Sequence, residues 1–137
     1  MRLITLSDKF YDEYGEFQEI LQKRNRPYVC LEITINNQTF AIPFRHHIRH
    51  KYAFFTYDQC GLDYTKAVVI VDDSYISNVE PQIEQIEFNA LKGMEFRIEK
   101  GMTDYIKLYK KAVQYRTSIH YANILRYSSL KYFENLL

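Results

Sequence analysis

Most of the histidine in this chain lies in one short run. The run is Arg45-His46-His47-Ile48-Arg49-His50-Lys51-Tyr52, called the basic loop below, and it holds three of the four histidines. Imidazoles that titrate near neutrality, placed among guanidinium and ammonium groups, can move protons on and off a phosphodiester. No Asp or Glu occurs in residues 33–57, so nothing nearby in sequence neutralises this charge. We therefore expect an anionic partner at the basic loop.

Metal-free cleavage of RNA needs three kinds of group. One takes the proton of the ribose 2′-OH, a second protonates the leaving 5′-oxygen, and fixed cations stabilise the charge that develops on phosphorus. The basic loop contains all three kinds, and the predicted catalytic residues in it are His46, His50, Arg45 and Lys51. Its other predicted RNA contacts are His47, Arg49 and Tyr52. The alternative is a solvated loop whose histidines pack against aromatic rings.

Two other chemistries fit the basic loop less well. His46 and His50 have the four-residue spacing of zinc-binding helices, but the glutamate of the metalloprotease motif is missing, and Arg49 and Lys51 would repel a dication. We therefore predict no metal and no other cofactor. Acyl transfer is disfavoured because no serine-centred nucleophile motif accompanies the histidines.

A second basic segment, Lys23-Arg24-Asn25-Arg26-Pro27, precedes an apolar run that is typical of a strand. If that strand pairs with residues 39–44, Arg26 lies near Arg45, and two guanidinium groups can bind one phosphate from two strands. Arg26 is accordingly predicted to be catalytic, and Lys23 and Arg24 are predicted to bind RNA. An exposed loop before the proline explains the segment equally well.

Other lysines complete the predicted RNA surface. A basic run in the C-terminal half is opposed only by Glu99 and Asp104. Its simplest interpretation is a solvated helix face, and the alternative is a groove wall that follows RNA phosphates. On the second interpretation, the predicted RNA contacts outside the two basic segments are Lys9, Lys100, Lys107, Lys110 and Lys111.

Composition limits the class of protein. The 137 residues suit a single domain, residues 1–137, and 47% hydrophobic with 16% aromatic residues is typical of an ordered globular chain. A net charge of +1 argues against a strongly basic nucleic-acid arm, so local charge matters more than the total. Cys30 and Cys60 are too sparse for a secreted disulfide scaffold and are expected to be reduced thiols. Because no signal core or bilayer-length apolar segment appears, we expect a cytoplasmic protein.

The pattern of apolar residues predicts an α+β fold. Residues 2–6 are expected to form a strand, and Ser7 is expected to cap a helix over residues 8–22. Residues 28–35 and 39–44 should form a hairpin around Asn36-Asn37, which delivers the basic loop to one end of a sheet. The aliphatic residues 67–71 predict a central strand buried on both faces.

A helical period begins after Pro81. Gly93 and Gly101 are expected to break the helical region into two or three pieces, and residues 119–137 should form a closing amphipathic segment. The expected architecture is a small, strongly curved antiparallel sheet flanked by helices.

The order of several short motifs resembles a known family. They are Ile4-Thr5-Leu6-Ser7, Arg26-Pro27-Tyr28-Val29, Phe40-Ala41-Ile42-Pro43-Phe44-Arg45, His50-Lys51-Tyr52, Leu91-Lys92-Gly93, Tyr105-Ile106, Tyr109-Lys110-Lys111 and Ser129-Leu130-Lys131-Tyr132-Phe133. Together they resemble the toxins of type III toxin–antitoxin systems, the ToxN/AbiQ superfamily, and especially its CptN and TenpN branches. The resemblance covers nearly the whole chain.

The resemblance implies both a fold and an activity. The fold would be a barrel-like sheet related to the Kid and MazF ribonucleases, an SH3-like barrel. The activity would be metal-independent, sequence-selective endoribonuclease cleavage of cellular or phage mRNA that leaves a 2′,3′-cyclic phosphate, with a possible role in phage defence. The inhibitor would be a repeated pseudoknot RNA antitoxin that assembles with the toxin into a closed ring.

The family's site residues correspond only in part to this chain. The active-site lysine of the ToxN pattern would correspond to Arg26, and a hydroxyl pair after the proline of the second strand would correspond to Arg45 and His46. An arginine is a poor proton donor, and a cation with an imidazole replaces two hydroxyls. The acid and base are therefore expected to be assigned differently here. A non-catalytic RNA-binding module with the same basic, aromatic surface is the main alternative, and a protein-interaction domain is a third.

Overall fold

The computed structural model of the chain describes residues 2–22 and 28–137, and within them the fold is α+β. The strands are β1 Arg2–Thr5, β2 Val29–Ile35, β3 Gln38–Arg45, β4 Ala53–Tyr57, β5 Cys60–Asp63 and β6 Val68–Ile70. The α-helices are α1 Asp8–Tyr14, α2 Gln85–Leu91, α3 Glu95–Gln114 and α4 Ala122–Tyr127. Short 3-10 helices lie at Tyr64–Lys66, Asp73–Tyr75, Ile119–Tyr121 and Ser129–Leu136.

The sheet is antiparallel and is organised around β3. Its order is β1-β2-β3-β5-β4, and β6 also pairs with β3. One edge of β3 pairs along its length with β2, whereas the other edge pairs with β6 near Phe40 and with β5 at Phe44 and Arg45. The predicted antiparallel sheet with flanking helices is confirmed. The sheet formed by the described residues is open and does not close into a barrel.

The hairpin that carries the basic loop forms as predicted. Asn36 and Asn37 have φ angles of 50° and 65° between β2 and β3, the left-handed conformation that asparagine tolerates in a two-residue turn. The pairing of Ile35 with Gln38 and of Cys30 with Pro43 then fixes the register along the hairpin. As a result, β3 ends at Arg45, and the basic loop leaves the sheet there.

Two predicted elements are wrong in extent or position. Ser7 does cap α1, since its hydroxyl accepts from the Phe10 N–H, but α1 ends at Tyr14 and does not continue to residue 22. The chain turns beyond Tyr14, and the Phe17 ring stacks on Tyr132 with centroids 4.4 Å apart. The strand predicted over residues 67–71 is the three-residue β6, which among the described strands pairs with β3 only and is buried by the C-terminal segment packed against it. The central strand is β3.

The two glycines predicted to break the helical region behave differently. Gly93 has a φ of 72° and separates α2 from α3, as expected. Gly101 lies inside α3, and a Cβ built there would come within 2.3 Å of the Tyr64 hydroxyl, which donates to the Ile98 carbonyl. This glycine therefore permits close packing of Tyr64 against α3 and does not end the helix.

The core lies between the sheet and the helices. Its fully buried members come from both, and among the largest are Tyr109, Phe10, Phe40, Leu62, Met102 and Phe133. Burying a side chain of this size contributes about 1.5–3 kcal/mol relative to leaving it exposed. The predicted closing segment is confirmed as a series of short helices that bury Leu130 and Phe133. In the described part of the chain, no helix has the length and apolar character needed to cross a membrane.

Candidate active site

The basic loop meets a buried carboxylate at its start. Asp63, the last residue of β5, has no exposed surface, and its carboxylate accepts from three side chains. Arg45 Nη1 lies 2.9 Å from Oδ2, while His50 Nε2 at 3.2 Å and Thr65 Oγ1 at 2.6 Å reach Oδ1, which also accepts from the Thr65 N–H. Burial by itself raises the pKa of Asp63, but the hydrogen bonds from His50, Thr65 and Arg45 outweigh it and lower the pKa. Asp63 is thus the anion that links the end of β3, the basic loop and the turn after β5.

Strand pairing explains why Arg45 reaches Asp63. Arg45 pairs with Gly61 and Phe44 pairs with Leu62, so Asp63 is the diagonal neighbour of Arg45 on the same face of the sheet. Because successive side chains on a strand alternate between faces, His46 is directed away from this face. The pairing of β3 with β5 therefore separates Arg45 from the next residue in sequence.

His50 is held through both of its ring nitrogens. The Tyr52 N–H donates to Nδ1 over 3.0 Å, so Nδ1 is the unprotonated nitrogen and the ring proton lies on Nε2, which faces Asp63. The ring also stacks on Tyr52, with centroids 5.9 Å apart. A proton added to Nδ1 would break the hydrogen bond from Tyr52, so His50 in this arrangement positions Asp63 and has no free nitrogen for a substrate.

A pocket of about 270 Å³ opens beside this corner. It joins the end of β3, the basic loop, the turn after β5, α3 and α4. The lining residues are Arg45, His50, Tyr52, Thr65, Lys66, Tyr105, Asn123, Ile124, Tyr127 and Ser128. The pocket thus combines two cations with three tyrosine rings, a combination suited to a phosphate that carries an aromatic base.

Lys66 is the pocket cation that the sequence did not predict. Its ammonium group donates to the Tyr127 carbonyl over 2.8 Å, and the side chain is partly buried. Burial lowers the pKa of Lys66, and the charge of Arg45 lowers it further. A lysine shifted in this direction can exchange a proton nearer to neutrality than an exposed one, and a bound anion would relieve its repulsion from Arg45.

Tyr105 contributes a hydroxyl at the pocket wall. The residue is only 3% exposed, and within residues 2–22 and 28–137 its hydroxyl oxygen has no hydrogen-bond partner of normal geometry. Burial raises the pKa of Tyr105, so the hydroxyl stays protonated and can donate. A buried hydroxyl without a partner costs about 1–3 kcal/mol, which makes it a natural contact for a bound polar group.

The basic loop does not bring its three histidines together. Ile48 is buried and anchors the loop through its N–H, which donates to the Gln59 carbonyl over 2.9 Å. His46 is exposed and its Nδ1 lies 3.1 Å from Cys60 Sγ, whereas His50 contacts Asp63. The remaining predicted loop residues outside the pocket are exposed, and they are His47, Arg49 and Lys51. Of these, Lys51 has its ammonium group 5.7 Å from the centre of the Tyr52 ring.

The predicted lysines of the RNA surface lie outside the pocket. Lys9 donates to Ser74 Oγ and sits over the Tyr75 ring, and Lys100 pairs with Asp104 one helical turn away. The exposed lysines on the outer face of α3, opposite Tyr105, are Lys107, Lys110 and Lys111. The predicted contacts Lys23, Arg24 and Arg26 lie outside the described residues.

The sequence did not predict two groups of site residues. The first lies at the end of β5 and in the turn after it, and the second lies on α3 and α4. A local signal existed for the first group, because Asp63-x-Thr65 is a capping pattern: the Asp63 carboxylate accepts the Thr65 N–H at the start of a 3-10 turn. No local signal marked Tyr105 on α3 or Asn123 on α4. They join the pocket only through tertiary packing.

No protein-family model, curated protein or solved structure matches this chain. Among the described residues, no group of three or more His, Cys, Asp or Glu side chains has an arrangement that could hold a metal ion.

Proposed function

We propose that this protein is a metal-independent endoribonuclease in which the ribose 2′-OH attacks its own 3′-phosphate and leaves a 2′,3′-cyclic phosphate. The observation that carries the proposal is that Arg45 and the partly buried Lys66 line one pocket together with three tyrosine rings. Fixed cations stabilise the charge that develops on phosphorus, and the rings hold the base beside it.

Both cations keep hydrogen-bond donors for a phosphate. A guanidinium group has five N–H donors, and Arg45 gives one of them to Asp63 at 2.9 Å. An ammonium group has three, and Lys66 gives one to the Tyr127 carbonyl. The remaining donors suit the non-bridging oxygens of a phosphodiester, which accept charge-assisted hydrogen bonds.

The tyrosines and Asn123 supply the binding surface for the nucleotide. At the pocket, Tyr52 is partly exposed and Tyr127 is exposed, so a single-stranded base can stack on either ring. The Asn123 amide and the unpartnered Tyr105 hydroxyl can form hydrogen bonds with the base or the ribose. This surface would favour unpaired RNA over a duplex.

Lys66 is the proposed group that accepts the 2′-OH proton: the neutral amine takes the proton, and the ammonium group that results then stabilises the charge on the phosphate. Its lowered pKa increases the fraction of neutral amine at a given pH, and only that form can accept a proton. In an in-line displacement, the leaving 5′-oxygen lies on the opposite side of phosphorus. We assign its proton to solvent water, because His50 has no free ring nitrogen and His46 lies outside the pocket.

The first experiment incubates the purified chain with a mixed-sequence RNA in EDTA and maps the cut sites and the new 3′ ends. Discrete cuts with cyclic-phosphate ends support the ribonuclease. Lys66→Met and Arg45→Met should each lower the cleavage rate about 10²-fold or more. The matched control is Lys92→Met, since Lys92 is exposed and lies outside the pocket.

The outcomes separate the proposal from its alternatives. Cleavage by Lys66→Met at the rate of the control would remove Lys66 from the mechanism. RNA that is bound but never cut would contradict the ribonuclease and favour the RNA-binding module. The absence of any salt-dependent RNA affinity would favour the protein-interaction domain.

The resemblance to type III toxins supports a proposed mode of regulation. We infer that a repeated pseudoknot RNA binds the chain in a closed ring and blocks the pocket, and that the substrates are cellular or phage mRNAs in the cytoplasm. Co-expression of the chain with RNA from a candidate repeat should restore growth and co-purify that RNA. Toxicity that such an RNA does not relieve would contradict this regulation.

A further inference from the structure

The sheet end that carries the pocket also carries a thiol–imidazole pair. Cys60 begins β5, and its Sγ lies 3.1 Å from Nδ1 of His46, the first residue after β3. The adjacent residues Arg45 and Gly61 are paired in the sheet, so strand register holds the thiol and the ring at this separation. This is the distance at which an imidazole can accept the proton of a thiol.

A buried carboxyl group lies beside the pair. Glu87 of α2 is only 5% exposed, and its Oε1 has no hydrogen-bond partner within residues 2–22 and 28–137. Burial raises the pKa of Glu87, and the charge of a protonated His46 lowers it. The unpartnered carboxyl therefore lies where it would stabilise the imidazolium that forms when the thiol loses its proton.

Tyr57, the last residue of β4, is a further neighbour of Cys60. The hydrogen bond with Cys60 is the largest of the effects that raise the pKa of Tyr57 to about 12, and burial adds to it. The Tyr57 hydroxyl also donates to Glu84 Oε2 over 3.4 Å. Cys60 thus has His46 and Tyr57 as neighbours, Glu87 interacts with His46 and Glu84 with Tyr57, and none of these groups lines the pocket.

The second thiol of the chain lies in a different environment. Cys30 is 2% exposed in the middle of the sheet, and burial raises its pKa to about 12. Its thiol donates to the Tyr28 carbonyl, 4.0 Å from Sγ. Cys60 is 9% exposed and has an imidazole partner. One chain therefore contains a candidate reactive thiol and a matched inert one.

We propose that Cys60 is a modification site that forms a mixed disulfide with small disulfides, with His46 as the group that accepts its proton. The Cys60 proton passes to His46 Nδ1, and the thiolate attacks one sulfur of the disulfide. The S–S bond of the reagent breaks as the new one forms, and the departing thiolate takes a proton from the imidazolium or from solvent. Cys60 is oxidised and the released thiol is the reduced product.

The test compares two single-thiol proteins. Cys30→Ala leaves only Cys60, and Cys60→Ala leaves only Cys30. Each folded protein is treated with 2-hydroxyethyl disulfide across a range of pH, and the adduct is followed by intact-protein mass spectrometry. The Cys60 protein should react at least about 10-fold faster than the Cys30 protein, because the thiolate is the nucleophile. In denaturant the two rates should converge.

The role of His46 is tested in the Cys30→Ala background. His46→Gln should slow the reaction and change its pH profile to that of an unassisted thiol, whereas His120→Gln, at an exposed histidine on the Ile119–Tyr121 helix, should leave both unchanged. Circular dichroism checks that each variant is folded. Equal rates for the two folded single-thiol proteins, or equal profiles for the two histidine variants, would overturn the proposal. None of these experiments measures RNA cleavage, so their outcomes do not depend on the proposed ribonuclease activity.

Discussion

Arg45 and Asp63 form an ion pair of 2.9 Å in which the guanidinium is partly exposed and the carboxylate is fully buried. Asp63 also accepts hydrogen bonds from His50 and Thr65, so the end of β3, the basic loop and the turn after β5 all contact this one carboxylate. Removing one partner of a buried pair leaves the other without compensation and commonly costs about 3–5 kcal/mol. The direction of Arg45 into the pocket therefore depends on a residue that itself faces no solvent.

Asp63→Asn tests this dependence. The amide keeps the shape of the side chain but removes the charge, so we expect the free energy of unfolding to fall by about 2–4 kcal/mol in urea titrations. Asp58→Asn, at an exposed turn residue with a φ of 43°, serves as the control and should change little. Equal free energies of unfolding for the two variants would show that the charge of Asp63 does not stabilise the fold.

The pH dependence of stability has a sign that follows from Asp63. Its folded-state pKa lies below the ordinary value of 3.8, so its contribution is fully present above that value and is lost as the pH falls through the folded pKa. The difference in unfolding free energy between the wild type and Asp63→Asn should therefore be constant near neutrality and shrink below about pH 4. A difference that grows on acidification would contradict the lowered pKa.

Glu87 should show the opposite dependence. Burial raises its folded-state pKa, so the folded state favours the protonated carboxyl, and stability from this residue is lost as the pH rises through the folded value. Glu87→Gln should therefore stabilise the protein at neutral pH and have little effect below pH 4, as measured by thermal unfolding. Destabilisation by this variant at neutral pH would mean that the carboxylate has a stabilising partner.

Tyr105→Phe separates stability from function. Removing a buried hydroxyl that lacks a partner should leave the free energy of unfolding unchanged or raise it slightly. If the hydroxyl contacts the nucleotide, RNA cleavage should fall about 10-fold in the same variant. Tyr109→Phe is the matched comparison, because the Tyr109 hydroxyl donates to Glu134 and its removal should destabilise the fold. Wild-type cleavage by Tyr105→Phe would exclude a substrate contact.

The exposed lysines of α3 test how far an RNA extends beyond the pocket. Replacing Lys107, Lys110 and Lys111 by Glu should weaken the binding of a long structured RNA. It should also lower the dependence of log Kd on log salt by about 0.7–0.9 per lost phosphate contact. Lys92→Glu changes the charge at an exposed site on the loop after α2 and is the control. An unaltered salt slope in the triple variant would identify the outer face of α3 as a solvated surface only.

The predictions from sequence succeeded where structure is local. Asn36-Asn37 specified the turn, and the strands on either side placed Arg45 at the end of β3. The length of α1 was wrong because Phe17, which fits a helical period, stacks instead on Tyr132, more than one hundred residues later in the chain. A short-range pattern cannot contain such a contact.

The candidate site shows the same difference between residues that local sequence predicts and residues that only long-range packing brings in. The basic loop was recognised from composition, and Arg45, His50 and Tyr52 do line the pocket. Asp63 and Lys66 belong to a different strand end, and Tyr105 lies still further along the chain. Their meeting depends on strand register and on the packing of α3. The separation of His46 from His50 has the same cause, since it follows from the pairing of β3 with β5.

The order of the pocket residues along the chain affects when the pocket can exist during synthesis. Arg45 and Lys66 lie in the first half of the chain, but Asn123, Tyr127 and Ser128 belong to α4 and its end. The Ser129 hydroxyl then donates to the Thr65 carbonyl and fixes the turn that carries Lys66. A nascent chain that has not yet extended past α4 lacks this wall of the pocket. The pocket is therefore complete only after α4 has been synthesised and has packed beside the turn that carries Lys66.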